Sequence, residues 1–205
     1  KIPFPLFVAT DAVDRASPGY MTWSQIRELA KAGVTIGGHT KSHSHLPDLS
    51  LEAVKQELDG ANARFIAELG GGPTLLSYPC GEFDLALRDL VIDRGFKAAF
   101  GQNSGVVHPV LDGFGLPRFA LNERFGGIDR FRLIANALPL PVTDILPSSP
   151  VLSDNPPAFG FTIARDISGL EGLACFASSE GELRLERLER RVEVRFREPF
   201  PPGRS

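Results

Sequence analysis

Short apolar runs alternate with segments of helical periodicity over about the first 138 residues of this chain. The strand-like runs are residues 4–9, 34–37, 74–78, 97–100 and 116–121. Strands that alternate with amphipathic helices are typical of βαβ units, in which right-handed crossovers build a parallel sheet or barrel. The alternation therefore predicts an α/β fold for this part of the chain.

Capping signals place the helices between these runs. Thr22, with Gln25 three residues on, predicts a capping box, and Gly33 predicts the end of that helix. Ser50 predicts the start of a second helix that ends before Gly70, and Asp84 predicts the start of a third. A fourth helix is predicted over residues 128–138, and the third is expected to end at Gly95.

The composition changes beyond residue 138. Six prolines between residues 139 and 157 exclude a helix there. Four runs of β character follow, at residues 159–164, 173–178, 183–188 and 192–196, and the last two alternate apolar with charged residues. We therefore predict two domains: an α/β domain over residues 1–145, and a Pro-rich linker with a small antiparallel β-rich domain over residues 146–205. The alternating Arg and Glu residues between 182 and 198 are read as a solvated sheet face.

Composition excludes several classes of protein. With 205 residues, 42% hydrophobic residues and a net charge of -3, the chain has the composition of a globular protein and not of a disordered one. No apolar run approaches the roughly 18 residues of a transmembrane helix. An isoelectric point of about 5.8 gives no indication of nucleic-acid binding. Two cysteines, Cys80 and Cys175, are too few for a disulfide framework.

Three of the four histidines lie within seven residues, directly after a predicted strand that ends in Gly37 and Gly38. Ligand sites of parallel α/β folds form at the carboxyl ends of the strands. His39 and His43 are four residues apart, so a helical turn would direct both imidazoles at one transition metal. The alternative is that they are polar loop residues, and His45 is either an outer group or simply exposed.

A catalytic metal usually has three protein ligands, so a further ligand is required. Asp11 ends the first predicted strand and lies at the same edge of the sheet, and Asp14 and Asp48 are near in sequence. The reading of each as a loop or capping residue is favoured over that of a ligand. The residues alone therefore leave the third ligand open.

The segment 77–84 follows another predicted strand. Its proline and glycine shape the backbone so that an N–H group near Cys80 could stabilise an oxyanion, although a simple turn before the next helix also explains it. Cys80 as a nucleophile has little support, because no triad pattern accompanies it. Arg118 is the one charge in the run 116–121, placed either to orient a carboxylate or on an edge surface.

Together these segments resemble the polysaccharide deacetylases, the NodB-homology enzymes of carbohydrate esterase family four. Residues 33–46, GVTIGGHTKSHSHL, are similar to the family's His-Thr-x-x-His metal motif. Residues 78–81, YPCG, resemble the next motif, in which a tyrosine usually stands at the position of Cys80. Residues 95–101 and 116–118 are similar to later strands of the branch that resembles poly-N-acetylglucosamine deacetylases. The resemblance covers roughly residues 4–140.

The resemblance implies a partial (β/α) barrel and a metal-dependent hydrolase that removes N-acetyl groups from an aminosugar polymer or oligomer. His39 and His43 would bind a divalent transition metal, with zinc preferred. The main-chain N–H of Cys80 would stabilise the oxyanion, Arg118 would orient a catalytic carboxylate, and Tyr78 and Pro79 would contact the substrate. An extracytoplasmic location is expected from the family.

Two family motifs are absent from this sequence. The Thr-Phe-Asp-Asp-Gly motif, which supplies the base and the third ligand, normally precedes the strand matched by residues 4–9, and the Leu-x-His motif of the general acid is not visible. Since the sequence begins in a strand-like run without Met, we expect both to lie upstream of Lys1 and the 205 residues alone to be catalytically incomplete. The alternatives are a non-catalytic carbohydrate-binding relative and a hydrolase of small non-sugar amides.

Overall fold

The structure is a computed structural model, and it describes residues 4–122, 124–201 and 203. Over these residues the chain folds into two compact units. The first contains residues up to 105 together with 112–136, and the second contains residues 106–111 and those from 137 onward. Each unit has its own sheet.

The first unit contains a four-stranded parallel sheet in which the strands are neighbours in chain order. Its strands are β1 (Pro5–Val8), β2 (Thr35–Gly38), β3 (Leu75–Ser77) and β4 (Ala98–Phe100). Its helices are α1 (Thr10–Asp14), α2 (Trp23–Lys31), α3 (Leu51–Leu69), α4 (Leu85–Asp93) and α5 (Ile128–Ala135). This arrangement confirms the predicted α/β fold.

The helix starts follow the capping signals of the sequence. Thr22 and Gln25 form the predicted capping box of α2, and Ser50 and Asp84 accept hydrogen bonds from the first turns of α3 and α4. Gly70 ends α3 in the left-handed conformation, which glycine adopts at little cost.

Two clusters of buried side chains hold the helices to this sheet. The larger contains Leu46, Val54, Leu58, Leu76, Tyr78, Leu87, Leu90, Val91 and Ala99. The smaller contains Val8, Val13, Ile26 and Phe65. Each fully buried aliphatic or aromatic side chain contributes about 1.5–3 kcal/mol relative to an exposed one. The sheet is therefore a firm support for the loops at its carboxyl edge.

The prediction of a fifth strand at residues 116–121 was wrong. Only Leu116 pairs there, through an isolated parallel bridge to Phe100, and the chain then runs without regular structure. Pro117 has no N–H to donate to a ladder, which explains why pairing stops after one residue. Residues 10–14 form α1, which the sequence reading missed, and α5 ends at Ala135, three residues before the predicted end.

The second unit contains a five-stranded antiparallel sheet in the order β5-β6-β9-β8-β7. Its strands are β5 (Val142–Leu146), β6 (Phe159–Ile163), β7 (Cys175–Ala177), β8 (Gly181–Leu188) and β9 (Arg191–Arg195). Val192 and Val194 are buried and Arg195 is exposed, as alternation predicts, whereas Leu188 is exposed. β5 lies next to the predicted linker, inside the Pro-rich segment, and pairs with β6.

None of the helices in the described part of the chain is long and apolar enough to cross a membrane.

Candidate active site

The histidine segment leaves β2 through two glycines that the fold requires. A Cβ atom on Gly37 would lie 2.6 Å from the Phe7 ring on the neighbouring strand, and one on Gly38 would lie 3.2 Å from Pro73. Both glycines are buried. Close packing between β1, β2 and the segment before β3 therefore sets where the chain emerges from the sheet.

Backbone hydrogen bonds from β1 and α1 then fix the loop. His39 donates its N–H to Val8 O at 3.0 Å, and the N–H of Asp11 donates to Lys41 O at 2.9 Å. Thr40 and His43 adopt positive φ angles of 62° and 63°. Left-handed backbone is uncommon outside glycine, so two such residues in four indicate a conformation imposed by the surrounding structure.

His39 is held in the form that binds metals. Its Nδ1 lies 2.6 Å from Ser77 O, and because a carbonyl oxygen only accepts, Nδ1 carries the proton and Nε2 keeps its lone pair. Burial lowers the pKa of His39 from 6.5 to about 4, the Ser77 hydrogen bond opposes this shift, and the charges of His43 and Arg118 add to it. The ring is therefore neutral near pH 7, as a metal ligand must be.

His43 lies beside His39 without the helical turn that the spacing suggested. The two ring centroids are 4.7 Å apart with an interplanar angle of 73°. Residues 39–45 contain no helix; instead, the left-handed conformations of Thr40 and His43 reverse the chain. The structure therefore brings the two predicted ligands together by a route that differs from the predicted one.

No third ligand joins this pair among residues 4–122, 124–201 and 203, where no carboxylate or thiol combines with His39 and His43 into a group of three ligand atoms. Asp11 contacts the ammonium of Lys41 at 3.7 Å and the guanidinium of Arg15 at 3.6 Å. The carboxylate of Asp11 therefore lies near these two positively charged groups.

Asp14 is occupied by a structural network. It accepts hydrogen bonds from Arg64 at 2.8 Å and from Trp23 Nε1 at 2.7 Å. Burial raises the pKa of Asp14, but these two donors outweigh it and leave the pKa below the ordinary value. Asp48 lies in a short 3₁₀ turn, Leu46–Asp48, directly before α3. The suggestion that either aspartate completes the metal site therefore receives no support from these contacts.

Tyr78 and Pro79, the predicted substrate contacts, are both fully buried. The Tyr78 ring stacks on Phe83 at 4.5 Å, and its hydroxyl donates to Phe114 O at 3.0 Å. Burial, together with the charge of Asp112, raises the pKa of Tyr78. These side chains anchor the loop, and neither is exposed to a ligand in solution.

The loop after β3 turns sharply at Cys80. Residues Pro79–Gly81 form a 3₁₀ turn in which Cys80 has φ 55° and Gly81 has φ 75°. A Cβ on Gly81 would meet the main-chain nitrogen of Gln102 at 2.5 Å, so glycine is required there. The N–H of Cys80 donates to no described group outside this turn. Its role as an oxyanion donor stays a prediction, and Cys80 is exposed, with its thiol in no disulfide.

Arg118 is half-buried and fixed by its neighbours. Its Nε donates to Gly101 O at 2.9 Å, its main-chain N–H donates to Asn103 O at 3.0 Å, and burial lowers its pKa. In the described part of the chain the guanidinium forms no ion pair, yet it is near enough to His39 to lower the pKa of that ring. The charge of Arg118 therefore acts on His39, and no described carboxylate pairs with it.

Sequence reasoning missed two residues that position these groups. Ser77 supplies the carbonyl that orients His39, and Glu57 on α3 accepts hydrogen bonds from the N–H groups of Lys41 and Ser42 at 3.1 and 2.8 Å. A main-chain carbonyl has no sequence signal. Glu57 lies on an otherwise ordinary polar helix face, and only the fold shows that this face meets the loop.

A cavity of about 510 Å³ opens beside the histidine pair. His39, Ser42 and His43 line part of it, and the rest is lined by apolar residues, most of them from β1, α1 and α2, and by Arg15, Ser17 and Tyr20. The histidine pair thus borders a depression that combines apolar and polar residues, as small-molecule sites do.

Comparisons with known proteins give a match to one family model and several solved structures with a similar fold. Residues 1–99 match the family model for polysaccharide deacetylase. Similar solved structures include the Streptococcus pyogenes deacetylase PplD in complex with acetate (17% identity, TM-score 0.58), BC0361, a polysaccharide deacetylase from Bacillus cereus (18%, 0.55), and IcaB from Ammonifex degensii (22%, 0.54). No curated protein matches the chain.

These alignments cover 63%, 65% and 66% of the chain. The chain spans less than two thirds of each solved structure, namely 57%, 42% and 63% of its length. At these identities the likeness shows the fold, and it confirms the deacetylase type of α/β fold expected from the sequence.

Proposed function

We propose that this chain, whose residues 1–99 match the family model for polysaccharide deacetylase, takes part in removing N-acetyl groups from an aminosugar polymer or oligomer. The observation that carries the proposal is the His39–His43 pair, in which Ser77 holds His39 in the tautomer whose Nε2 is free to bind a metal. An extracytoplasmic location, where such polymers are found, is part of the same proposal.

His39 and His43 would hold a divalent metal of the zinc type, and their donor chemistry fits one because the two imidazole rings are adjacent and both line the cavity. When bound, such a metal polarises an acyl oxygen and lowers the pKa of a coordinated water to about 7. The pair supplies two of the usual three ligands. We propose that the third, a carboxylate, precedes Lys1.

Cys80 would serve the reaction through its main chain. Attack on an acetyl carbonyl places negative charge on the carbonyl oxygen, and a fixed N–H donor stabilises that charge. The turn that holds the N–H of Cys80 is fixed by buried Pro79 and by glycine at position 81. Removal of such a donor typically lowers the rate by about 10²–10³-fold. The fixed position of this N–H group would therefore matter for the rate.

Arg118 would orient the carboxylate that takes the proton from water. Its guanidinium is fixed by Gly101 O, carries a charge unmatched by any described carboxylate and lies near His39. We propose that the base itself, and the acid that protonates the leaving amine, also precede Lys1. General acid–base catalysis contributes about 10²–10⁴-fold, so the 205 residues alone would be far less active than a chain that includes those groups.

The test is acetate release from N-acetylglucosamine oligomers by the chain extended upstream to include an Asp-Asp motif. We expect release that stops on chelation and returns with zinc, and near-complete loss in His39→Ala. His108→Gln, which replaces the histidine that lies outside the cluster, is the matched control and should retain activity. Release that persists unchanged in His39→Ala would contradict the proposal.

Two further comparisons separate the alternatives. Cys80→Ala should lose far less activity than His39→Ala, because the substitution keeps the main-chain N–H; equal loss would indicate thiol chemistry instead of metal-dependent deacetylation. Oligomer binding without acetate release would indicate a carbohydrate-binding relative. Release by the 205 residues alone would show that a carboxylate inside them, such as Asp11, serves as the base.

A further inference from the structure

A second group of potential metal ligands lies on the two loops after β2 and β3. One ligand atom from each of His45, Cys80 and Glu82 lies within 4.8 Å of the others. Within the described part of the chain, this is the one group of three such side chains whose ligand atoms approach one another so closely. His39 and His43 are not members of it.

The side chain of His45 lies between those of Glu82 and Cys80 and contacts both. Nδ1 of His45 lies 2.7 Å from Glu82 Oε2, and Nε2 of the same ring lies 4.0 Å from Cys80 Sγ. Because the carboxylate accepts the Nδ1–H, the neutral ring presents the lone pair of Nε2 to the thiol. A carboxylate that orients a histidine in this way is the usual partner of a metal-bound imidazole.

The separation of the two ligand atoms suits a zinc-sized ion. Zinc binds imidazole nitrogen at about 2.0–2.1 Å and thiolate sulfur at about 2.3 Å, so tetrahedral angles put the two atoms about 3.5 Å apart. The observed 4.0 Å requires a movement of roughly half an ångström. Rotation of the exposed Cys80 side chain can provide this movement without any change in the backbone.

Buried neighbours fix the backbone on both sides of the gap. His45 directly precedes Leu46, whose side chain is fully buried, and Cys80 directly follows fully buried Pro79. The left-handed φ of Cys80 and the close packing of Gly81 on Gln102 hold the second loop in place. The two donors are therefore held near each other before any ion arrives.

We propose that His45 Nε2 and Cys80 Sγ bind a divalent transition metal of the zinc type, with Glu82 as the residue that positions His45. Thiolate and imidazole ligands select zinc or cobalt over magnesium or calcium, which prefer oxygen. Two protein ligands leave open positions for water or for a ligand group. His39 and His43 are not among its ligands, and the proposal does not depend on the proposed deacetylase function.

Cobalt(II) provides the test, because a cobalt–thiolate bond absorbs in the near ultraviolet and an imidazole bond does not. The 205-residue chain, with its thiols reduced, is titrated with Co²⁺ alone. We expect a thiolate charge-transfer band that saturates at one ion per chain. The band should persist in the double variant His39→Ala/His43→Ala, disappear in Cys80→Ser and persist in the matched variant Cys175→Ser.

Variants of His45 and Glu82 test their assigned roles as ligand and positioning residue. His45→Ala should weaken Co²⁺ binding by more than tenfold, and Glu82→Gln should weaken it by about 10–100-fold while the thiolate band remains. Circular dichroism and thermal melting identify any variant that fails to fold. Should the double variant be unfolded, the Cys80→Ser and Cys175→Ser comparison in the otherwise unaltered chain remains decisive for the thiol.

Three results would overturn the proposal. One is the absence of a thiolate band in the folded chain, and another is a band that survives Cys80→Ser. The third is a band that requires His39 or His43 in a folded double variant, since Cys80 would then be a ligand of the first metal and no second site would exist.

Discussion

At the scale of single residues, the environment of His39 determines what the candidate site can bind. The carbonyl of Ser77 fixes its tautomer, and burial keeps the ring neutral by lowering its pKa to about 4. Burial therefore favours the neutral ring, and the Ser77 hydrogen bond determines that its free lone pair is on Nε2. His43 is placed instead by its backbone, whose N–H donates to Thr40 Oγ1 at 3.2 Å.

We predict that His39→Ala and His43→Ala each reduce zinc retention at the histidine pair. Loss of one imidazole leaves a single protein ligand from this pair, which is too few to retain an ion through gel filtration. Zinc content is measured by elemental analysis in the Cys80→Ser background, so that sulfur ligands do not contribute. Equal zinc content in the parent and both variants would contradict the assignment.

The lowered pKa of His39 also predicts a loss of stability in acid. The pKa in the folded chain is about 4, against 6.5 for an ordinary histidine, so the unfolded chain takes up this proton first as the pH falls. The stabilisation is complete above the unfolded pKa and is lost between about pH 6.5 and pH 4. A difference of this size corresponds to about 3 kcal/mol of unfolding free energy.

Urea unfolding of the metal-free chain at about pH 7.5 and about pH 4.5 measures this effect. The decrease on acidification should be smaller in His39→Gln, which has no group that titrates in that range. An equal decrease in the two proteins would show that other groups cause the acid sensitivity.

At the scale of elements, α3 holds the histidine loop through one carboxylate. Glu57 accepts hydrogen bonds from two main-chain N–H groups and from the Ser42 hydroxyl, at 2.8–3.1 Å. An anion that accepts several backbone N–H groups gives a loop charge-assisted bonds. The helix thereby sets the conformation of a loop that belongs to the sheet edge.

We predict that Glu57→Gln lowers the free energy of unfolding by about 1–2 kcal/mol, because a neutral amide replaces the charged acceptor. It should also weaken zinc binding at the His39–His43 pair. The matched control is Glu52→Gln on the same helix, where an exposed carboxylate contacts Lys55 at 3.4 Å. Unfolding curves and zinc titration check both effects, and a Glu57→Gln variant indistinguishable from Glu52→Gln would refute them.

The sequence predicted elements where local chemistry decides them, as at the capping box of Thr22 and Gln25 and the caps of α3 and α4. The sequence-based prediction failed where pairing with a neighbouring strand decides whether a strand forms. The run 116–121 looks like a strand but meets only one partner residue, and β5 forms in a Pro-rich segment because β6 lies beside it. The sequence predicted that His39 and His43 lie together but gave the wrong reason, a helical turn, and the tautomer of His39 and the cluster around His45 arise from non-local contacts.

At the scale of the whole molecule, the chain contains two kinds of sheet. The first unit has a parallel sheet whose carboxyl edge bears the candidate site, and the second has an antiparallel sheet with its own buried residues, Ile163, Leu183, Val192 and Val194. Every residue with a proposed chemical role lies in the first unit. The second unit is therefore proposed to be dispensable for the chemistry.

We predict that limited proteolysis cuts the folded chain between about residues 140 and 157. Residues 142–146 should be spared because β5 is hydrogen-bonded to β6, and cleavage should concentrate in the exposed bends that follow. Mass spectrometry of the fragments locates the cut, and zinc titration of the N-terminal fragment tests its independence. An uncut chain, or a fragment that has lost zinc binding, would contradict the prediction.

The hydrogen bonds between the histidine loop and β1 and α1 also determine when this loop forms during folding. β1 pairs with β2 across 30 residues, Pro5 with Thr35, and the loop acquires its bonds from Val8 and Asp11 only when that pairing is made. Long-range parallel pairing is among the slower events of folding. His39 and His43 are near neighbours in sequence, yet the short segment that carries them is expected to become competent for zinc late in refolding, in step with the sheet and not ahead of it.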